Sequence, residues 1–421
     1  MTATGIIAEY NPFHNGHEYQ LREARKQTGA DYIIIAMSGD FLQRGVPAVV
    51  DKYSRTRMAL LGGADLVLEL PAVWATASAE YFAAGGIQLL GKTGVVSHIC
   101  FGCETADHSL LTAIAQVLTE KEKELHAMTA SAMKKGISYP AARSRAVCTL
   151  LPEYPAEKIA AFLASPNNIL ALEYEKACQH WNVSGKKKLT TAPIERIGEG
   201  YHSTNTDSSF ASATAARKLL QTRNIDGLPA DLSHIMPETS VQELLAARKQ
   251  NRLLDSDDFS QALYTRLWSL KNTGYAGFAD CGADLSARIG NQLEYFRSFL
   301  SFAELLKSKN ITYTHVCRAL LHIMLDIRQD DYTSLWQPEG IPYLRVLGFR
   351  KSAKGLLSAI KKEASVPLLT KAADASDFFN SNAENRFLQD VSCADLYRTT
   401  ASLKAETLLP NEYRQPIVII P

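Results

Sequence analysis

Three observations predict an α/β fold with a parallel sheet, followed by a mainly α-helical domain. Short β-branched apolar runs alternate with longer segments of helical period through the first half. Nearly every periodic segment beyond residue 219 is helical, and 421 residues with 46% apolar side chains can bury two cores. The strands are residues 6–9, 32–37, 66–69 and 97–101, near-continuous apolar runs of the kind buried on both faces of a sheet. Between them, 18–28, 53–62 and 75–90 have the length and period of crossover helices. After Thr105 the chain turns helical, then returns at 190–197 to an extended stretch that can add a further parallel strand. In the second half, 241–253, 259–268, 287–306 and 313–327 repeat apolar residues at helical spacing. The division is therefore drawn between 1–219 and 220–421, with the polar run 204–209 as a loop whose Asp and Ser side chains satisfy the turning backbone.

A formal net charge of +1 provides no global field for nucleic acid, so any RNA contact has to come from local basic patches. No run approaches the roughly 20 apolar residues of a membrane helix, and the start MTATGIIAEY lacks the basic region of a secretory leader. A cytoplasmic protein with no membrane association is expected, and no stable protein partner is inferred. Cys100 and Cys103 form a CxxC at a strand end, but no second pair completes a metal site, and none is expected.

Residues 5–20, GIIAEYNPFHNGHEYQ, carry the most chemistry. A strand ending in an Asn-Pro turn and opening a helix with His14-Asn15-Gly16-His17 puts two imidazoles at a helix N-terminus. Backbone N–H groups and the dipole attract anions there. Gly16 removes the Cβ that would hold a ligand off the backbone, and two histidines three residues apart share one face of the first turn. Such histidines can donate to charge developing on a phosphate as its neighbour leaves. A nucleotide phosphate site is the reading; half of a zinc site would need further ligands, and none follows nearby.

A literal Walker A pattern at 86–93 competes with it. Its context is wrong, because the pattern ends a helix and precedes a strand, whereas a P-loop follows a strand and opens a helix. Lys92 is then an ordinary lysine at the surface of a helix C-terminus. The loop after the second strand offers Ser38, Asp40, Gln43 and Arg44 as a substrate pocket at the carboxyl edge of the sheet, where open α/β sheets bind ligands. At the end of the fourth strand, Gly102 leaves room for a nucleoside and Glu104 can accept from a ribose hydroxyl. Of Asn167 and Asn168, one is expected to cap the following helix and the other to face the nucleotide. Ser212, Thr214 and Arg217 enter a helix and can close on the β and γ phosphates, while Arg196 ends the stretch 190–197 at the same edge. For RNA, the basic candidates are Lys186, Lys187 and Lys188, and the segment 343–354 with Arg345, Arg350 and Lys351 interleaved with Tyr343 and Phe349.

The wording AEYNPFHNGH resembles the HIGH-type nucleotidyltransferase superfamily and, more narrowly, the tRNA(Met) cytidine acetate ligase family. Blocks at 37–48, 101–104, 165–170, 195–198 with Tyr201 and His202, and 342–349 agree in order and spacing, so the resemblance spans both halves of the chain. It implies a Rossmann-like HIGH-type catalytic domain in which His14 and His17 are catalytic. It further implies that ATP is bound along Ile7, Ala8, Glu9, Tyr10, Asn11, Pro12, Phe13, His14, Asn15, Gly16 and His17, and by Gly102, Asn167, Asn168 and Arg196. The implied reaction joins acetate to ATP as acetyl-adenylate, releasing pyrophosphate, and then acetylates the wobble cytidine of elongator tRNA(Met) to N4-acetylcytidine. Magnesium is expected to accompany ATP through phosphate oxygens and water. The family often carries Asn where this chain has Asp40. A cofactor adenylyltransferase for a small phosphorylated substrate, or a non-catalytic RNA-binding protein with a relic nucleotide pocket, are the alternatives. The long helical second half argues against the first, and intact His14, Gly16 and His17 against the second.

Overall fold

In chain order the strands are β1 (Ala3–Ala8), β2 (Tyr32–Ser38), β3 (Phe41–Leu42), β4 (Val46–Pro47), β5 (Leu66–Leu70), β6 (Val96–Cys103), β7 (Thr190–Glu195), β8 (Leu344–Arg350), β9 (Leu368–Leu369) and β10 (Val418–Ile420). The computed structural model from which they are read describes residues 1–184, 187–197, 213–222, 228–309, 311–333, 336–337, 340–379 and 381–421. One sheet runs in the order β10-β8-β5-β2-β1-β6-β7, with β9 beside β8, and β3 and β4 form a separate hairpin. β5, β2, β1, β6 and β7 are mutually parallel, as expected for apolar runs joined by helices.

The side chains of β2 show why this sheet is central. Ile33 and Ile35 enter one core with Ile6, Phe13, Leu21 and Met58, while Ile34 and Ala36 enter the other with Trp74, Ile87 and Leu90. Alternate residues thus feed two apolar layers, which is possible only with helices on both faces. Because β2 lies on one side of β1 and β6 on the other, the chain reverses direction across the sheet at β1. A crevice opens outside the carboxyl ends at such a switch point.

The sheet runs across the expected boundary at 219/220. β8 lies antiparallel to β5, with Leu66 opposite Phe349 and Glu69 opposite Arg345, and β10 follows at the edge. The segment assigned to RNA contact is therefore a sheet strand, and Arg345 is 4% exposed. Its Nη2 lies 2.7 Å from Glu412 Oε1 and its Nε 3.4 Å from Glu69 Oε2. Lys52 Nζ completes the cluster, 2.6 Å from Glu69 Oε1 and 2.5 Å from Glu412 Oε1. Burial opposes ionisation of Glu412, yet Lys52 and Arg345 hold its carboxyl down to about 2. Charges this deep are tolerated because each carboxylate meets two cations.

The helical remainder has its own core of Leu263, Leu267, Tyr275, Phe278, Phe299, Phe302, Val316 and Leu320. The single helix expected over 287–306 is two, Ala283–Gln292 and Phe299–Leu306. Ser298 breaks it, its hydroxyl accepting the Ser301 N–H to start the second helix afresh.

The Walker-like residues Gly86, Gly91 and Lys92 all lie in the helix Ala79–Lys92, so no phosphate loop forms there. The glycines serve packing instead: a Cβ at Gly86 would lie 2.5 Å from Ile7 Cδ1, and one at Gly91 2.5 Å from the Trp181 ring. Lys92 departs from the surface role expected of it. It is buried, and its Nζ donates to the Ile341 carbonyl at 2.9 Å, tying the helix to the segment leading into β8.

Two outcomes follow. Lys92→Ala leaves a buried carbonyl without this donor and should cost about 1–3 kcal/mol by urea denaturation, with activity per folded molecule within a few-fold of the parent. Arg345→Ala leaves two buried carboxylates undercompensated and should cost about 3–5 kcal/mol, whereas Lys351→Ala, at an exposed position, should stay within about 0.5 kcal/mol.

Candidate active site

A cleft opens at the switch point. Ile7, Glu9, Tyr10, Asn11, His14 and His17 line its base. Leu42, Gln43, Arg44 and Val46 of the β3–β4 hairpin form one wall. The opposite wall comes from Gly102 at the end of β6, from Asn167, Leu170 and Tyr174 on the helix Pro166–Ser184, and from Arg196, Thr214 and Arg217.

His14 is the N-cap of the helix Asn15–Thr28. Its Nδ1 accepts the Gly16 N–H at 3.1 Å, and His17 Nδ1 accepts the His14 N–H at 3.2 Å. Each ring nitrogen that accepts must be unprotonated, so in the neutral imidazoles the proton sits on Nε2. Both histidines therefore keep an Nε2–H to donate, and the rings stack with centroids 3.8 Å apart. The helix N-terminus acts here through the imidazoles, since the Gly16 N–H is taken by His14. Gly16 is required for a reason other than ligand approach: a Cβ there would lie 2.9 Å from His14 Cε1. Burial, then the charges of Arg196 and Arg217, push His14 down to about 3. Burial, His14 and Arg196 push His17 in the same direction. Burial and the N–H bonds accepted by each Nδ1 favour the neutral form of both imidazoles, and the cleft's arginines carry positive charge.

The turn beneath the histidines is held from several sides. Tyr10 has a φ of 50°, a left-handed conformation that costs a bulky residue on the order of 1–3 kcal/mol, and its ring packs edge-on against Phe13 at 5.0 Å and His17 at 4.8 Å. Asn11 Oδ1 accepts the Val49 N–H at 2.8 Å, and its carbonyl accepts Arg217 Nη1 at 2.6 Å. Arg217 Nη2 also reaches Thr214 Oγ1 at 3.1 Å, fixing the guanidinium at the cleft. Arg196 follows β7, where its N–H donates to the Cys103 carbonyl, and a Cβ at Gly102 would press on its Cγ at 3.1 Å. Glu9 accepts the Gln43 N–H at 2.9 Å, and burial pushes its carboxyl up despite that bond and the nearby Arg44.

A residue not anticipated organises this edge. Arg55, fully buried on the helix Lys52–Leu61, donates to the carbonyls of Val50 (3.1 Å), Glu9 (2.7 Å) and Ser38 (3.1 Å) and to that of Gly39. One signal could have found it: Arg55 stands three and four residues before Met58 and Ala59, on the apolar face of its helix.

Several expected site residues serve the scaffold rather than the cleft. Ser38 is fully buried, with its carbonyl given to Arg55. Asp40 turns behind the hairpin, where Oδ1 accepts the Lys52 N–H at 2.8 Å, and burial pushes its carboxyl up to about 7 against the pull of Lys52. Glu104 turns its carboxylate to a helix end. Its carboxylate receives the Asn167 N–H at 3.3 Å, Asn167 Nδ2 at 2.6 Å and the Asn168 N–H at 2.9 Å, capping the helix Pro166–Ser184 from outside. Neither asparagine is the cap: Asn168, fully buried, returns Oδ1 to the Glu104 N–H at 2.9 Å, and Asn167 alone of the two lines the cleft. Pro12 and Phe13 are buried beneath the turn, and Asn15 Nδ2 donates to the His234 carbonyl at 3.2 Å.

Apart from Arg345, the RNA candidates Lys187, Lys188, Arg350 and Lys351 fall at the other edge of the sheet. Lys187 Nζ donates to the carbonyl of Val95, just before β6, and the Arg350 N–H to that of Asp65, just before β5. Lys188 and Lys351 are their exposed neighbours, so these basic groups lie a strand length, about 20–25 Å, from the histidines. Lys186, Ser212, Tyr201 and His202 lie outside the described residues. Cys100 and Cys103 are free, buried thiols within β6.

Residues 1–409 match the HIGH Nucleotidyl Transferase family. The chain is 36% identical over 423 residues to the tRNA(Met) cytidine acetate ligase of Acetivibrio thermocellus, covering 100% of both, and 37% identical over 388 residues to that of Clostridium kluyveri, covering 88% of this chain and 90% of the relative. Among solved structures, Thermotoga maritima TmcAL without ligand superposes with a TM-score of 0.89, and the same protein bound with alpha-thio ATP with 0.87, each at 28% identity over 100% of both chains. With the strand-turn-helix of His14 and His17 set at the switch point of the sheet, and with likeness to these relatives over the full length, the chain belongs to the tRNA(Met) cytidine acetate ligase family of HIGH nucleotidyltransferases.

Proposed function

We propose that the protein is an ATP-dependent acetate ligase that forms acetyl-adenylate and acetylates the wobble cytidine of elongator tRNA(Met). The observation that carries this reading is the stacked pair His14 and His17, each with its Nδ1 occupied and its Nε2–H left to donate in a cleft lined by Arg196 and Arg217. In the first step a carboxylate oxygen of acetate attacks the α-phosphorus of ATP and the bond from that phosphorus to the β-phosphate bridge oxygen breaks. Pyrophosphate leaves with the electron pair. The Nε2–H groups donate to the charge that grows on the α and β phosphates, while Arg196 and Arg217 gather the departing pyrophosphate. Gly102, Asn167, Leu170 and Tyr174 form the side of the cleft for the nucleoside. In the second step the exocyclic amine of cytidine attacks the acyl carbon, the carbon–oxygen bond to AMP breaks, and the amine releases a proton. No protein nucleophile is required.

Magnesium is proposed to arrive on the triphosphate oxygens with ATP. Among the described residues no group of three or more His, Cys, Asp or Glu could hold a metal ion. A cytoplasmic location is part of the proposal. Among the described residues no helix is long and apolar enough to cross a membrane. The helical second half is proposed to hold the tRNA body, and the basic groups around Lys187, Lys188, Arg350 and Lys351 can touch tRNA only at a distance from the reacting base.

The decisive experiment incubates the protein with ATP, labelled acetate and total tRNA, then digests the RNA. Label in N4-acetylcytidine from elongator tRNA(Met) is expected, and its absence from all nucleosides overturns the reading. His14→Ala and His17→Ala should each lower acetate-dependent ATP–pyrophosphate exchange by on the order of 10²–10³ without unfolding the chain. The pH dependence separates neutral from charged imidazoles. Both histidines are held below the usual imidazole range, so kcat/KM should not fall as pH rises from 6 to 8; a decline through 6.5 would show that an imidazolium is needed.

A further inference from the structure

We propose that the cross-strand pair Leu42 and Val46 is a gauge that limits the carboxylic acid to the size of acetate. This rests on the acetate-ligase reading and adds the feature that selects the acid. The cleft has two walls. The nucleoside and phosphate groups of the proposed site, Gly102, Asn167, Arg196, Thr214 and Arg217, lie on the β6–β7 side of the histidines, and the β3–β4 hairpin faces them from the β2 side. An acid that attacks in line with departing pyrophosphate enters opposite the arginines, and so against the hairpin. Gln43 and Arg44 in its turn offer polar groups for the carboxylate, and Leu42 and Val46 offer apolar surface for the methyl group.

The hairpin is built to stay where it is. Leu42 and Val46 are direct partners in its antiparallel register, so both side chains stand on one face, toward the cleft. Phe41 stands on the other face, its ring 5.4 Å from that of Phe259 and 6.0 Å from that of Tyr397. The turn is tied to the catalytic strand by the bond from the Gln43 N–H to Glu9. Behind it, Gly45 has a φ of 74°, and a Cβ there would overlap the backbone of Cys317 and Arg318 in the helix Tyr313–Leu325. That helix is itself fastened, with Arg318 Nε 2.9 Å from Asp280 Oδ2 and His322 Nε2 3.1 Å from the Thr76 carbonyl. A wall backed by helix backbone has no room to retreat from an added methylene, and a rigid apolar pocket separates acids that differ by one methylene by roughly 10–200-fold.

The test is ATP–pyrophosphate exchange driven by formate, acetate or propionate without tRNA, on full-length protein whose folding and ATP binding are confirmed by thermal melts with and without ATP. Val46→Ala should raise the propionate-to-acetate ratio of kcat/KM by about tenfold or more, and Val46→Ile should lower the acetate-to-formate ratio. Exchange that depends on acetate in the parent but keeps both ratios within about twofold in the folded variants overturns the gauge alone. A parent protein with no acid-dependent exchange overturns the acetate-ligase reading and the gauge together.

Discussion

Backbone carbonyls of Glu9, Ser38, Gly39 and Val50 converge on the guanidinium of Arg55, which is fully buried. These carbonyls lie just past the ends of β1 and β2 and in the loop before the helix that carries Arg55, so one side chain sets the spacing of three chain segments. From Glu9 the chain turns into the histidine helix, and from Gly39 it runs into the hairpin that walls the cleft. Both sides of the candidate site are measured from this one cation. Each carbonyl lies in a dry environment where a missing partner would be costly, and their shared donor makes the edge polar without admitting water.

The electrostatics above that clamp are economical. A positively charged imidazole pair at van der Waals distance would repel itself and the neighbouring arginines, and burial adds to the cost. The chain avoids this by letting backbone N–H groups fix the tautomer of each ring, leaving neutral donors whose direction is set before a ligand arrives. Positive charge in the cleft includes Arg196 and Arg217, and Arg217 is held on the carbonyl of Asn11, in the same turn as the histidines. Oriented neutral dipoles combined with nearby fixed cations are suited to charge that moves from one phosphate to the next.

The second half of the chain completes the first in two ways. β8 and β10 extend the sheet, and the ion cluster of Lys52, Glu69, Arg345 and Glu412 joins three distant parts of the sequence where β5, β8 and the C-terminal segment meet. Such a cluster makes a weak contribution to net stability compared with an apolar core of equal volume, but removing any member leaves the others exposed to a low dielectric. The helix Tyr313–Leu325 then abuts the hairpin at Gly45. The α-helical portion is thereby in backbone contact with the wall of the cleft.

Much of this was legible in the residues. The parallel strands β1, β2, β5, β6 and β7 were marked by β-branched runs at sheet-like length, and the wording around His14 and His17 marked the candidate cleft because strand, turn and helix follow one another within a few residues. The rejection of the Walker pattern was local too, since Gly86 to Lys92 read as helix from their own neighbours. What the residues alone could not show was decided by partners far away in the chain. Arg345 reads as a solvent or RNA contact until Glu69 and Glu412, one 276 residues before it and the other 67 after it, are brought to its side. Glu104 and Asn168 look like ligands of a nucleoside until their mutual hydrogen bonds close the end of a helix. Local periodicity determines which segments become strands and helices. Only the tertiary structure decides which polar groups are consumed in holding them together and which remain to meet a substrate, because a buried charge is tolerated only where the fold supplies its counterpart.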